Sequence, residues 1–135
     1  MLKLFAEVQT ALKRYPTHDE DRYSTTFAWP EAGPTIAIFQ VVYFDFLGHG
    51  RIFIGINVMP DAPAVAHDAL RMNSEIVIGA LTAFHGTLLL KHLMTLGGFD
   101  ADELHAVLLT MARTAERTRE RLTRVTPYLN AGYAD

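Results

Sequence analysis

The run from Thr35 to Phe44 constrains this chain more than any other stretch: it is apolar on both parities. Ile36, Ile38 and Val42 share one face, and Ala37, Phe39, Val41 and Tyr43 share the other. A strand of this kind needs cover on two sides. The runs Ile76–Ala83 and Thr87–Met94 have the same two-sided character. They are separated only by Phe84-His85-Gly86, a hairpin signal with Gly86 at the left-handed position. Two further runs alternate. Tyr23, Thr25, Phe27 and Trp29 form an aromatic face, and Ile52, Ile54, Ile56 and Val58 an aliphatic one within Arg51–Met59. These patterns predict about five strands, the first three linked closely enough for an antiparallel meander.

Three helical segments frame them. Leu4, Phe5, Val8 and Leu12 recur at helical spacing over residues 2–14, and Pro16 stops that helix. Thr17 to Asp21 reads as a polar loop, Pro30 to Pro34 as a turn and Asp45 to Gly50 as a connection. After Pro60, Asp61 is the expected N-cap of a short helix with Pro63 in its first turn; Val65, Ala69, Leu70 and Met72 carry it to about Glu75. Gly97-Gly98 breaks the chain. Asp100-Ala101-Asp102-Glu103 is then a capping box, with Phe99 and Leu104 placed for a hydrophobic staple. Leu104, Val107, Leu108, Met111, Ala115 and Leu122 mark the stripe of a long helix to about Arg124, closed by Pro127. The expected fold is a single α+β domain over residues 1–126, in the order α-βββ-α-ββ-α, followed by a loose tail at 127–135.

Composition agrees with a packed domain and narrows the chemistry. Of 135 residues 50% are hydrophobic and 20% charged, the reverse of a disordered chain. Cysteine is absent, which excludes disulfides, thiolate nucleophiles and Cys-based metal sites. A net charge of −3 lacks the positive field of a dedicated nucleic-acid binder. The most apolar stretch, Ile36 to Leu47, is broken by Gln40 and Asp45 and is short of the ~20 residues a spanning helix needs. Glu7 and Gln9 interrupt any signal-like core near the N-terminus. The expectation is a soluble cytoplasmic protein with no membrane partner. Three helices cover one face of such a sheet but hardly both, and apolar surface left over marks association.

The second half carries a family pattern. Leu70-Arg71-Met72-Asn73 ends the short helix, the hairpin Ile76–Leu93 follows, and Leu96-Gly97-Gly98-Phe99-Asp100-Ala101-Asp102-Glu103-Leu104 opens the last helix. With Asn73, Gly79, Gly86, Leu88, Leu90, Glu103 and Leu104 in matching places, this ordered set resembles two related bacterial families: the small type III secretion chaperones and the YbjN-like regulators. The element order extends the resemblance to about residue 124. It implies a type III secretion chaperone-like fold and a homodimer that binds another protein without enzymatic activity, chaperone-like or adaptor-like.

The residues themselves offer no better-formed alternative. His18, His49, His67, His85, His92 and His105 are scattered, without metal-ligand spacing. Gly48-His49-Gly50 precedes a strand, whereas a phosphate loop needs a helix start after it. Gly97-Gly98 does precede a helix, but Asp100, Asp102 and Glu103 repel an anion there. Asp19-Glu20-Asp21 reads as a solvated charge cluster, and the serines, Ser24 and Ser74, stand in no nucleophile motif. No catalytic residue, cofactor or metal is expected. Partner contacts are expected from Phe39, Val41 and Tyr43 on the second strand and from Arg113, Arg117, Arg121 and Arg124, a basic stripe along the last helix. The leading expectation is a client polypeptide held on apolar surface, by strand addition for instance. A nucleic-acid-associated regulator using the basic stripe is the alternative, weakened because no aromatics interleave the arginines.

If the last helix starts at the capping box, Asp100→Ala costs about 0.5–2 kcal/mol of stability through loss of one N-terminal acceptor. Thermal denaturation of the variant checks this; an unchanged melting temperature would place the helix start elsewhere.

Overall fold

In the computed structural model, which describes residues 2–30 and 37–125, the N-terminal helix α1 (Leu2–Leu12) drives Phe5, Val8 and Leu12 fully into the interior. Its end is closed by Tyr15 N–H donating to the Leu12 carbonyl, just before Pro16. The segment read as a polar loop is instead a strand, β1 (Thr17–Glu20), paired antiparallel with β2 (Ser24–Ala28). Its polar composition hid it: an edge strand needs one paired side, not an apolar face. The Asp21 carboxylate makes the turn between them by accepting from the N–H groups of Tyr23 (2.7 Å) and Ser24 (2.9 Å). From α1, Gln9 Nε2 donates to the Asp21 carbonyl (2.7 Å) and to Thr25 Oγ1 (3.2 Å), fastening helix to turn.

Most of the turn at 30–34, the first residues of the second expected strand and the tail at 127–135 lie outside the described residues. The chain re-enters the sheet as β3 (Ile38–Phe46) and returns as β4 (His49–Pro60). The connection expected over six residues shrinks to two. Leu47 (φ 55°) and Gly48 (φ 78°) form a left-handed pair between Phe46 and its partner His49. His85 (φ 49°) and Gly86 (φ 79°) do the same between β5 (Ala80–Phe84) and β6 (Thr87–Thr95), as expected for Gly86. Both turns carry the hand that matches strand twist.

Among the described residues the result is α+β: one open antiparallel sheet of six strands in the order β1-β2-β3-β4-β6-β5 and three helices. The short helix α2 (Pro63–Met72) carries the chain from β4 past β6 to the sheet edge. Ala62 stands at its N-cap without a side-chain bond, so Asp61 does not cap it; Asp61 uses its own N–H to hold the Gly86 carbonyl. The long helix α3 (Ala101–Val125) begins where expected, with Asp100 Oδ1 accepting from Asp102 N–H at 2.9 Å. Leu104, Leu108, Met111, Ala115 and Leu122 are all buried.

Every helix packs on the same sheet face. Phe27, Phe39, Val41, Ile52, Ile54, Ile56, Val58, Leu81 and Leu90 line it with the helical side chains in one core. Arg119, outside the basic stripe, reaches from α3 to donate Nε–H to the Val58 carbonyl (2.6 Å). That carbonyl lies at the irregularity where β4 slips by one residue against β6. The helix thus satisfies a backbone acceptor that the bulge frees.

Asn73 joins α2 to the sheet edge. Its N–H donates to the Ala69 carbonyl, ending the helix, while its side-chain amide accepts from Leu81 N–H (2.6 Å) and donates to the Leu81 carbonyl (3.3 Å). One amide thus occupies both outward backbone groups of Leu81, in the place a seventh strand would take. Asn73→Ala leaves that N–H and carbonyl unpaired. It is expected to destabilise the fold by about 1–3 kcal/mol and to speed hydrogen exchange at Leu81. Chemical denaturation and exchange measured together check both; no loss in either would show the edge to be held by other means.

Candidate functional site

The aromatic and aliphatic residues expected to meet a partner lie on the wrong side of the sheet for it. Phe39 and Val41 have no exposed area, and Phe39 stacks on Phe27 with ring centroids 5.2 Å apart. Tyr43 is half-buried between Phe5 (5.7 Å) and Tyr23 (6.5 Å). This corrects the reading of those three residues as a contact surface, and the reason is register. The two-residue turn at Leu47-Gly48 sets Tyr43 opposite Ile52, Val41 opposite Ile54 and Phe39 opposite Ile56, the row on which the helices sit.

The uncovered face carries the other parity. Val42 and Phe44 on β3, Phe53 on β4 and Leu89 and Leu93 on β6 form its apolar middle; Leu93 is 51% exposed. Arg51 lies at one end, its guanidinium 5.8 Å from the Phe46 ring. Toward the opposite end a trough of about 500 Å³ opens between Ile38, Gln40, Gly55, Asn57, Phe84 and Leu89. Its floor is Gly55. The Phe53 ring leans over this residue so closely that a Cβ there would stand 3.0 Å from the ring edge. Asn57 closes the trough's inner wall, its Oδ1 accepting from Ile38 N–H at 2.8 Å.

Both sheet edges are guarded against an added strand. β1 is four residues long, irregular between Thr17 and Asp19, and carries Asp19 and Glu20. β5 is blocked at Leu81 by Asn73.

The basic stripe is where the sequence placed it. Arg113, Arg117, Arg121 and Arg124 are all exposed on α3. Arg121 pairs with Glu75, and among the described residues no carboxylate bridges Arg113, Arg117 or Arg124. Beside the stripe, two depressions of about 450 and 280 Å³ meet at the Glu75–Arg121 pair. Met72 lies in both, Leu70 lines the first, Ile76 to Ile78 line the second, and Val77 is 95% exposed. None of Leu70, Val77, Phe53, Phe84 or Leu93 stood out in the sequence as a contact residue. The available signal was the mixed parity Arg51, Phe53, Gly55, Asn57 against the pure Ile52–Val58 row, which identifies the outward face of β4 and, through pairing, of its neighbours.

The titratable groups do not converge. Among the described residues no cluster of three metal-capable side chains exists. Tyr15 hydroxyl meets His105 Nδ1 at 2.8 Å beneath Trp29 and Phe27, a contact between α3 and the segment after α1. Burial raises the Tyr15 pKa. Burial, helped by the nearby Arg14 cation and opposed by Asp102, lowers that of His105. His92, on the inward parity of β6 opposite Ile54, is also lowered by burial. No helix among the described residues is long and apolar enough to cross a membrane. Comparison of the chain with models of protein families and with curated proteins finds no match.

The two depressed histidines give a pH dependence with a definite sign. Each is held neutral in the folded state, while the unfolded chain protonates near the ordinary value of 6.5. Stability is therefore complete above that value and is lost as pH falls below it, until the lowered folded pKa values are reached. Melting temperature should fall between about pH 7.5 and pH 5.5, and a His92→Asn/His105→Gln double variant should flatten that slope. An equally steep slope in the double variant would assign it to other groups.

Proposed function

We propose that the protein is a non-enzymatic protein-binding unit, chaperone-like or adaptor-like, that works as a homodimer and engages a client polypeptide. The observation that carries this reading is the groove made by the two depressions beside α3, which meet at the Glu75–Arg121 pair and mix aliphatic with charged side chains. Leu70 stands exposed in the first and Val77 in the second, where Arg117, which no carboxylate bridges among the described residues, lines the wall. Charge complementarity selects the client: an acidic segment carrying aliphatic side chains. Apolar contacts supply the affinity, and the arginines speed encounter, because exposed charges are screened within about 8 Å at physiological salt. Glu75, already on Arg121, occupies one cation as the client's carboxylates would occupy the others. The resemblance to the secretion chaperones and YbjN-like regulators supports the same class of function. Glu116 and Glu120 interleave the stripe and weigh against a nucleic-acid backbone as its ligand.

A fluorescein-labelled peptide alternating glutamate and leucine tests the reading. Arg113→Glu/Arg117→Glu should slow association severalfold at about 50 mM salt and hardly at about 300 mM. Val77→Asp should weaken binding roughly tenfold at both. Absence of saturable binding to the wild type overturns the proposal. So does complete loss on arginine reversal at every salt concentration. Salt-sensitive retention of a labelled DNA duplex, with no peptide binding, would favour the nucleic-acid reading instead.

A further inference from the structure

The groove leaves the larger apolar surface, the uncovered sheet face, without an occupant. We propose that this face seats a second copy of the chain, the two sheets packing about a twofold axis that runs along the strands between β3 and β4. The inference rests on the homodimer of the proposed function and names its surface.

Size is the first argument. Strands stand about 4.8 Å apart and rise about 3.3 Å per residue, so six strands with a long central set present a footprint of roughly 600–800 Å². A stable protein interface takes about 800 Å² from each partner. A full sheet face matches that, whereas a single client strand or helix would leave much of it wet. The guarded edges remove the other common route by which sheets associate.

A twofold interface also demands self-complementarity, because one patch must fit itself. One cross-sheet row makes the test concrete. Asp19 pairs with Thr26, Thr26 with Gln40, Gln40 with Gly55, Gly55 with Lys91 and Lys91 with Ala80. Cross-strand partners share a face, so this row crosses the open side of the sheet from Asp19 at one edge to Lys91, one strand in from the other. Rotation about an axis between Gln40 and Gly55 lays each half of the row on the other half. Gln40, exposed on β3, then stands over the Gly55 of the second copy, where the missing side chain leaves the trough. Lys91 falls over the second copy's Thr26, with Asp19 one strand farther out and within reach of a lysine side chain.

The neighbouring row, Ser24, Val42, Phe53 and Leu93, obeys the same operation. Val42 lies over Phe53 of the other copy at the axis, and Leu93 over Ser24 outside it. Apolar contacts are thereby concentrated at the centre and the Lys91–Asp19 pairs at the rim, the usual anatomy of an interface. An axis inclined about 15° to the strands gives the crossing of about 30° at which aligned sheets pack.

Equilibrium sedimentation of the full chain, with dissociation constants for four variants, tests the proposal. The wild type should sediment at twice the 15.1 kDa chain mass at micromolar concentration. Val42→Glu should raise the dissociation constant at least a hundredfold. Leu93→Glu, at a half-exposed position, should raise it at least tenfold with an unchanged circular dichroism spectrum. Lys91→Glu alone should weaken the dimer severalfold, and Lys91→Glu with Asp19→Lys should restore it. A monomeric wild type overturns the homodimer of the proposed function itself. A dimer indifferent to Val42→Glu and Leu93→Glu leaves that homodimer standing and overturns this surface. Loss of dimer with both glutamates but no rescue by the charge exchange overturns the axis.

Discussion

The inward row of β4 is the interaction on which the rest of this structure depends. Ile52, Ile54, Ile56 and Val58 are essentially without exposed area, on a strand paired along both sides. Each such side chain is worth about 1.5–3 kcal/mol on burial. Because strand side chains alternate, committing this row to the core commits the parity of every strand hydrogen-bonded to it. β3 and β6 follow directly, β2 and β5 through them. α3 crosses the row and anchors to it polarly as well, through Arg119 at the Val58 carbonyl.

That commitment makes the sheet one-sided. The described residues form three helices, and all of them pack on the side of the β4 row; nothing among the described residues covers the opposite face. The exposed parity is nevertheless built from Val42, Phe44, Phe53, Leu89 and Leu93, a composition suited to contact rather than to water. The edges point the same way from the other side. Asn73 spends its side chain on Leu81, and β1 carries acid and an irregular register, so the sheet is closed to extension along its plane. The face is thus the surface left to the proposed dimer.

A division of labour follows for the proposed function. The open face is broad and its residue rows match one another in register, properties that suit a second identical surface. The groove beside α3 sets Arg117 and Arg121 among Leu70, Ile76, Val77 and Ile78, a lining that the proposed acidic segment with aliphatic side chains would fit. The two lie on opposite sides of the sheet, so the proposed dimer would leave the groove open to the proposed client.

Much of this was legible in the sequence, for local reasons. Asp100 at a helix start, Gly86 in a left-handed turn, the stripe from Leu104 to Leu122 and the Ile52–Val58 row are each set by backbone sterics or by a residue's immediate neighbours. The stripe of arginines on α3 was legible for the same reason, since a helix of known phase fixes which residues share a flank. The excess of two-sided apolar strand surface was also plain, and with it the expectation of association. What tertiary structure decided was which side of each two-sided strand is buried. On β3, Phe39, Val41 and Tyr43 are no more apolar than Ile38, Val42 and Phe44, so hydrophobicity has no preference between them. Only hydrogen-bonded register with β4, transmitted through a two-residue turn, breaks the tie. The edge strand β1 was decided the same way: its polar residues hold no pattern of their own, and pairing with β2 alone makes them a strand.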